Sequence, residues 1–124
     1  IRIVIDRDLS LPQTLHLFDG QVHTIVYTEK AHDNIPNVQY VKLNRTINLL
    51  PQILDDLSKR SIRSVLVEGG SRLLQSFIDG CLWDEAYIEY SSLSLGFGVK
   101  EPLIKGLKET EFAFGTEISH FIRI

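Results

Sequence analysis

The sequence predicts an α/β domain with a mostly parallel sheet flanked by helices and an antiparallel strand pair at the C-terminus. Three observations carry this. Short β-branched runs alternate with loops as far as Leu43. Two amphipathic stripes come next with another apolar run between them, and period-two alternation returns after Trp83. The order strand, helix, strand, helix, strand through the middle of the chain predicts right-handed parallel crossovers.

Taken in order, Ile1–Asp6 is a continuous β-branched run ended by Asp6-Arg7-Asp8, and it reads as a strand buried on both faces. Leu11-Pro12 and Phe18-Asp19-Gly20 punctuate the loop after it. His23–Thr28 is a second short strand, Asn34-Ile35-Pro36-Asn37 a turn, and Val38–Leu43 a third strand. The period then changes. Leu49, Leu50, Ile53, Leu54 and Leu57 form a helical stripe, with Asn48 as N-cap, Pro51 in the first turn, and Lys59 and Arg60 at the negative end of the dipole. Ser64–Val67 reads as a short buried strand. After Gly69-Gly70-Ser71, the stripe of Leu73, Leu74, Phe77 and Ile78 predicts a second helix that stops at Gly80. Ala86, Ile88 and Tyr90 alternate within a strand at Trp83–Ser91. Ser92–Pro102 is a loop with Gly96 and Gly98 flanking Phe97, and Phe112–Phe114 pairs with Ile118–Ile124 through a turn at Gly115-Thr116.

The composition narrows the function classes. Among 124 residues, 13 basic and 16 acidic side chains leave a net charge of −3, and 44% of residues are hydrophobic. That balance excludes a disordered tail and a polybasic nucleic-acid binder, and a chain of this size buries roughly two thirds of its unfolded surface around one core. No apolar run approaches the ~20 residues of a membrane span. The first residues show no signal-peptide pattern, and with no initiator Met the chain is expected to be a processed piece or an excised domain of something longer. Cys81, the lone cysteine, excludes an intramolecular disulfide, suggests a reducing cytoplasmic setting and reads as a small buried thiol. His16, His23, His32 and His120 do not fall at metal-ligand spacing, so no metal site is expected.

Val65-Leu66-Val67-Glu68-Gly69-Gly70-Ser71-Arg72-Leu73-Leu74 is the stretch richest in chemistry. An apolar strand ends in a carboxylate, two glycines come after it, and a helix begins at once. Bare N–H groups and the positive helix end would then face the carboxyl edge of a sheet, where open α/β folds take phosphorylated ligands. Gly-Gly also serves purely steric turns, and the residues alone leave both readings open.

Val67-Glu68-Gly69-Gly70 with Leu73-Leu74, and then Trp83-Asp84-Glu85, resembles the reductase domain of the bacterial bifunctional riboflavin-biosynthesis deaminase/reductase. Arg2-Ile3-Val4-Ile5-Asp6 and Leu11-Pro12 resemble that family's strand and D-x-x-L-x-L-P segment, and the resemblance runs essentially from end to end. It implies a dihydrofolate-reductase-like fold and NADPH-dependent reduction of the ribosyl group of 5-amino-6-(5-phosphoribosylamino)uracil to a ribityl chain. It also implies a homodimer, a cytoplasmic setting, and a zinc deaminase domain elsewhere in the parent chain. No nucleic-acid or membrane partner is implied. The cofactor pyrophosphate would lie on Gly69, Gly70, Ser71, Arg72, Leu73, Leu74, Gln75 and Ser76, and Glu68 would touch the substrate sugar.

The chain departs from the family at Arg7, where Ser or Thr is usual; a guanidinium there serves a cofactor 2′-phosphate or a surface ion pair. Thr28 serves an adenosine phosphate or caps its own turn, and Glu68 binds a ligand or pairs locally. The family's upstream strand, helix and D-P-x-L-x-x-R segment are not within these residues, so the chain alone is expected to be inactive. An uncovered edge beside Ile3 and Ile5 would favour self-association. Two other functions stay open: a related reductase with another substrate, and a non-catalytic nucleotide-binding or oligomerisation domain.

Overall fold

Three short runs in the first half of the chain become parallel strands because each is β-branched or aromatic at every position that must be covered. The structure, a computed structural model, describes residues 1–94, 96–113 and 117–123, and only the backbone of 109–113 and 117. The turn expected at Gly115-Thr116 lies outside the described residues. The chain divides into two units, Ile1–Ser64 and Val65–Ile124.

In the first unit, β1 (Arg2–Ile5), β2 (Thr24–Thr28) and β3 (Val38–Lys42) form a parallel sheet in the order β1-β2-β3. The central strand β2 is buried at all five positions. The strand covered on both faces is therefore β2. β1, expected to be so covered, is an edge strand of this sheet, and of its four residues only Val4 is buried. The pleat sends Val4, Val26, Val38 and Tyr40 to one face, where Phe18, Leu9, Leu11 and Leu17 pack. Ile25 and Tyr27 point to the other, against Ile53 and Leu57, with Ile3 and Ile5 packed beside them.

The helix on that second face is α1 (Leu49–Lys59). Asn48 caps it, its Oδ1 accepting from the Leu50 N–H at 3.3 Å, and Leu50, Ile53 and Leu57 are its buried stripe. Beyond the helix, Ser61 turns left-handed at φ 62°, and the Ile62 N–H closes on the Leu57 carbonyl at 3.0 Å. Tyr27, fully buried, carries a hydroxyl into this layer, and burial demands a partner for it. It donates to Asp56 Oδ2 at 2.7 Å. Arg60 Nε donates to the same oxygen at 2.7 Å, and Arg60 Nη1 reaches Gln39 Oε1 at 2.6 Å.

On the opposite face one carboxylate shapes the cover. Asp6, only 4% exposed, accepts from the Ser10 N–H at 2.9 Å, the Leu11 N–H at 3.0 Å and the Ser10 hydroxyl at 3.2 Å. Those bonds fold the chain back through Leu9, at φ 54°, and bring Leu9 and Leu11 onto the core.

The second unit holds α2 (Ser71–Asp79) and an antiparallel sheet of β4 (Glu85–Tyr90), β5 (Leu107–Ala113) and β6 (Glu117–Ile122), in the order β4-β6-β5. The expected strand at Ser64–Val67 is absent from both sheets: the segment makes no ladder, and Leu66 is 82% exposed. A strand needs a neighbour, and apolar sequence does not reveal whether one exists. The middle of the chain consequently makes no parallel crossover; β4 opens the antiparallel sheet. Cys81 is exposed, contrary to the expected buried thiol, because it is the left-handed residue just beyond α2, at φ 52°. The α/β class stands, as a parallel three-stranded sheet, two helices and a separate antiparallel sheet.

The Tyr27–Asp56–Arg60 group makes stability pH-dependent at both extremes. Burial alone would raise the Asp56 carboxyl, but hydrogen bonds from Arg60 and Tyr27 and the Arg60 charge outweigh it and hold it below the ordinary 3.8. Its stabilisation is present above about pH 4 and is lost as pH falls through the lower native value. Burial and the Asp56 bond raise the Tyr27 phenol well above its ordinary 10.0. The unfolded phenol ionises first, so this stabilisation is complete below pH 10 and declines as pH rises further. Tyr27→Phe should cost about 1.5 kcal/mol at neutral pH. Urea titrations from pH 7 to 11 should also show a shallower alkaline loss in the variant; parallel curves for the two proteins would reject this account.

Candidate functional site

The residues singled out in the sequence fall into two groups, Arg7 and Thr28 in the first unit and Glu68 through Ser76 in the second. In the second unit α2 starts abruptly. Gly70 is its N-cap, at φ −63° and ψ 165°, with no side-chain cap and no acidic residue in the first turn. The Leu73 and Leu74 N–H groups return to the Gly70 carbonyl at 3.0 and 3.2 Å. Those of Ser71 and Arg72, the first two of the helix, have no acceptor among the described residues.

The two glycines do different things. Neither is left-handed. A Cβ on Gly69 would sit 2.5 Å from Leu73 Cδ2 and 3.1 Å from Leu73 Cβ, so Gly69 answers to packing. A Cβ on Gly70 would meet nothing within 4 Å, and its extended backbone suits any residue. The steric reading accounts for the first glycine and not for the second, which leaves a bare approach to the donors of the helix start.

Around this turn the side chains divide in the same way. The side chains of Glu68 and Arg72 are exposed and make no hydrogen bond or ion pair among the described residues, so local pairing does not occupy Glu68. Ser76 donates to the Arg72 carbonyl at 2.8 Å, a bond internal to the helix. Gln75 works as a clamp: its Oε1 accepts from the Leu103 N–H at 2.8 Å, and its Nε2 donates to Asp79 Oδ1 at 2.7 Å and faces the Leu103 carbonyl at 3.4 Å. Gln75 thus pins the loop after β4, a role its place in the helical pattern does not signal. Leu73 and Leu74 are half-buried.

In the first unit, Arg7 Nε donates to Glu29 Oε1, the surface ion pair that is one of its two readings. Thr28 is fully buried; its hydroxyl donates to the Arg7 carbonyl at 3.1 Å and accepts from the Lys30 N–H at 3.2 Å. That is a turn cap, and no exposed hydroxyl is left for a phosphate. Sequence reasoning misses the residues beside it. Glu29, Lys42, Leu43, Asn44 and Arg45 line a shallow cavity of about 400 Å³ at the carboxyl ends of β2 and β3. Arg45 Nε stands 3.6 Å from Glu29 Oε2, and Lys42 has no ionic partner among the described residues. The position after a parallel strand is the available signal.

One amide holds the rim of this cavity. Gln52 Oε1 accepts from the Asn44 N–H at 2.8 Å, while Nε2 faces the carbonyls of Asn44, Ile47 and Asn48 at 3.0–3.1 Å. Asn44 Oδ1 in turn accepts from the Thr46 N–H and hydroxyl at 3.0 and 2.8 Å. Among the described residues no group of three or more His, Cys, Asp or Glu side chains could hold a metal ion, and no helix is long and apolar enough to cross a membrane.

The fold is that of solved pyrimidine-reductase-type proteins. The Thermotoga maritima diaminohydroxyphosphoribosylaminopyrimidine deaminase/5-amino-6-(5-phosphoribosylamino)uracil reductase superposes with a TM-score of 0.82 at 24% identity, over 99% of this chain and 37% of that one. A pyrimidine reductase-like protein of Corynebacterium diphtheriae gives 0.79 at 14% identity, over 98% of this chain and 60% of that one. The chain belongs to the family described as the RibD C-terminal domain, whose model matches residues 1–117. Riboflavin biosynthesis protein RibD of Bacillus amyloliquefaciens is 27% identical over 114 residues, 86% of this chain and 31% of the relative. The 2,5-diamino-6-ribosylamino-4(3H)-pyrimidinone 5′-phosphate reductase of Archaeoglobus fulgidus is 26% identical over 103 residues, 77% of this chain and 47% of the relative. The chain thus spans about a third to a half of the curated relatives it matches.

The difference between the two glycines separates two variants. Gly69→Ala should destabilise by about 1–3 kcal/mol as its methyl meets Leu73, while Gly70→Ala should fall within about 1 kcal/mol of the parent. Equal midpoints in urea for the two variants would contradict the assignment. Gln52→Leu should free the rim, costing about 1–2 kcal/mol and speeding amide exchange at Asn44.

Proposed function

We propose that this chain supplies the cofactor-binding part of an NADPH-dependent reductase that converts the ribosyl group of 5-amino-6-(5-phosphoribosylamino)uracil to a ribityl chain in riboflavin biosynthesis. Family membership across residues 1–117 carries the reading, and two relatives bear reductase names. The residues present fit a dinucleotide. The bare Ser71 and Arg72 N–H groups and the uncapped start of α2 suit a pyrophosphate, Gly70 offers space for its approach, and Arg72 adds a cation. A reduced nicotinamide, when bound, supplies hydride.

The protein's work is then to bind and orient. Glu68, exposed and unpaired, is available to accept hydrogen bonds from sugar hydroxyls. Gln75 steadies the loop at Leu103 and so restrains the chain beyond β4. In the first unit by itself, Lys42 and Arg45 against the single carboxylate of Glu29 leave a positive excess at the cavity after β2 and β3.

The family model runs through both units, which supports reading residues 1–124 as part of one domain. The deaminase/reductase name of the Thermotoga relative supports a parent protein with a deaminase domain. A homodimer in the cytoplasm, with no nucleic-acid or membrane partner, completes the proposal.

Titration calorimetry tests the cofactor assignment. Gly70→Val fits the extended backbone and the open space, so circular dichroism should remain native while NADPH affinity falls at least about tenfold, or ~1.4 kcal/mol. Unchanged affinity would make the turn structural only. In the complete enzyme, Glu68→Gln should lower turnover or substrate affinity with cofactor binding nearly intact, and kinetics identical to the parent would remove Glu68 from the site.

A further inference from the structure

The cavity at the carboxyl ends of β2 and β3 gathers more donors than its own residues can satisfy. Lys42 has no ionic partner among the described residues. The Thr46 N–H and hydroxyl occupy Asn44 Oδ1, and Asn44 Nδ2 has no acceptor among the described residues. Arg45 Nε stands 3.6 Å from Glu29 Oε2, beyond hydrogen-bond length, and the Arg45 side chain is 85% exposed. Glu29 is the opposite case. Its side chain is only 10% exposed, its N–H is tied to the Arg7 carbonyl at 2.9 Å, and Arg7 donates to its Oε1. A fixed carboxylate thus faces exposed cations that little else restrains. The fold does not require those cations either, because Gln52 holds the rim through backbone groups. Their charge is free to serve a ligand.

We propose that this cavity binds a phosphate monoester and that Glu29 gates it as an internal counter-ion. The ligand enters by drawing Arg45 away from Glu29, and it adds Lys42 and the Asn44 amide as donors. Charge selects the ligand class. A phosphate monoester carries about −1.5 to −2 at pH 7, so it outcompetes a single carboxylate for a guanidinium. A phosphodiester carries one negative charge, no more than Glu29 itself, and gains no such advantage. The cavity volume of about 400 Å³ has room for a phosphate and the sugar that bears it. The site lies wholly within the first unit, and the proposal does not depend on the reductase reading.

Titration calorimetry on the protein with its natural flanking sequence tests this without reading activity. The probes are two monoesters, adenosine 2′-monophosphate and ribose 5-phosphate, and one diester, adenosine 2′,3′-cyclic phosphate. The parent should bind a monoester and reject the diester, and whichever monoester binds more tightly identifies the source as a nucleotide or a sugar phosphate. Glu29→Gln keeps the shape and removes the competing charge. It should tighten monoester binding about tenfold and admit the diester. Lys42→Gln loses no bond of the fold, so circular dichroism should stay native while monoester binding weakens about tenfold, which assigns the binding to this cavity. A parent that binds neither monoester overturns the proposal, as does monoester binding that Lys42→Gln leaves unchanged. Equal or weaker monoester binding by Glu29→Gln overturns the gate, because Glu29 would then hold the cations in place for the ligand instead of competing with it.

Discussion

The complete burial of β2 is the constraint on which the first unit depends. A parallel strand with neighbours on both edges must be covered on both faces, and the first unit has one α-helix to offer. α1 takes one face. The other is closed by an irregular loop, which holds its place because Asp6 accepts three hydrogen bonds and folds Leu9 and Leu11 inward. The D-x-x-L-x-L-P pattern is thus explained by the need for a lid without a helix. Tyr27 creates the matching demand on the α1 side. Its hydroxyl requires an acceptor, the acceptor is a carboxylate, and the carboxylate stays ionised because Arg60 lies one helical turn away and reaches on to Gln39.

The second unit solves a different problem, presenting unused donors at the start of a helix. Leu73 rises into the space beside Gly69 and anchors the turn from within, while Gly70 stays clear of everything. Packing and access are thereby assigned to adjacent residues that look identical in sequence. The clamp from Gln75 to Leu103 fastens the loop beyond β4 by its backbone, so the loop's own apolar side chains are not consumed in holding it.

Much of this is legible in the sequence. Most strands of the two sheets, both helices and the Asn48 cap come from period, branching and capping chemistry, all of which are local; β5 is the exception, beginning at Leu107, five residues before the expected Phe112. Ser64–Val67 misleads because pairing is not local: the residues state a preference, and a partner strand must honour it. Cys81 misleads because hydrophobic character says nothing of backbone handedness. At the candidate site, the strand-to-glycine-to-helix pattern locates the bare helix start, yet cannot tell which glycine is sterically required. Arg45, Lys42 and Gln52 escape notice because their significance comes from where β3 ends. Thr28 and Arg7 sit at plausible positions, but Arg7 is held by Glu29, and the Thr28 hydroxyl is held by backbone groups of Arg7 and Lys30.

The Gln52 brace also separates two properties that loops usually confound. The shape of the rim is written in backbone groups gripped by one amide on α1, whereas its charge is written in Arg45 and Lys42, whose side chains take no part in that grip. Charge at the cavity mouth can therefore drift, reverse or vanish among descendants while the frame persists. Gln52 itself has little such freedom. A glutamate there would keep the bond from Asn44 and lose every donated one, and a lysine would do the opposite. Sequence variation in this loop should accordingly be unequal, wide at the side chains that face the cavity and narrow at the one residue that never touches it.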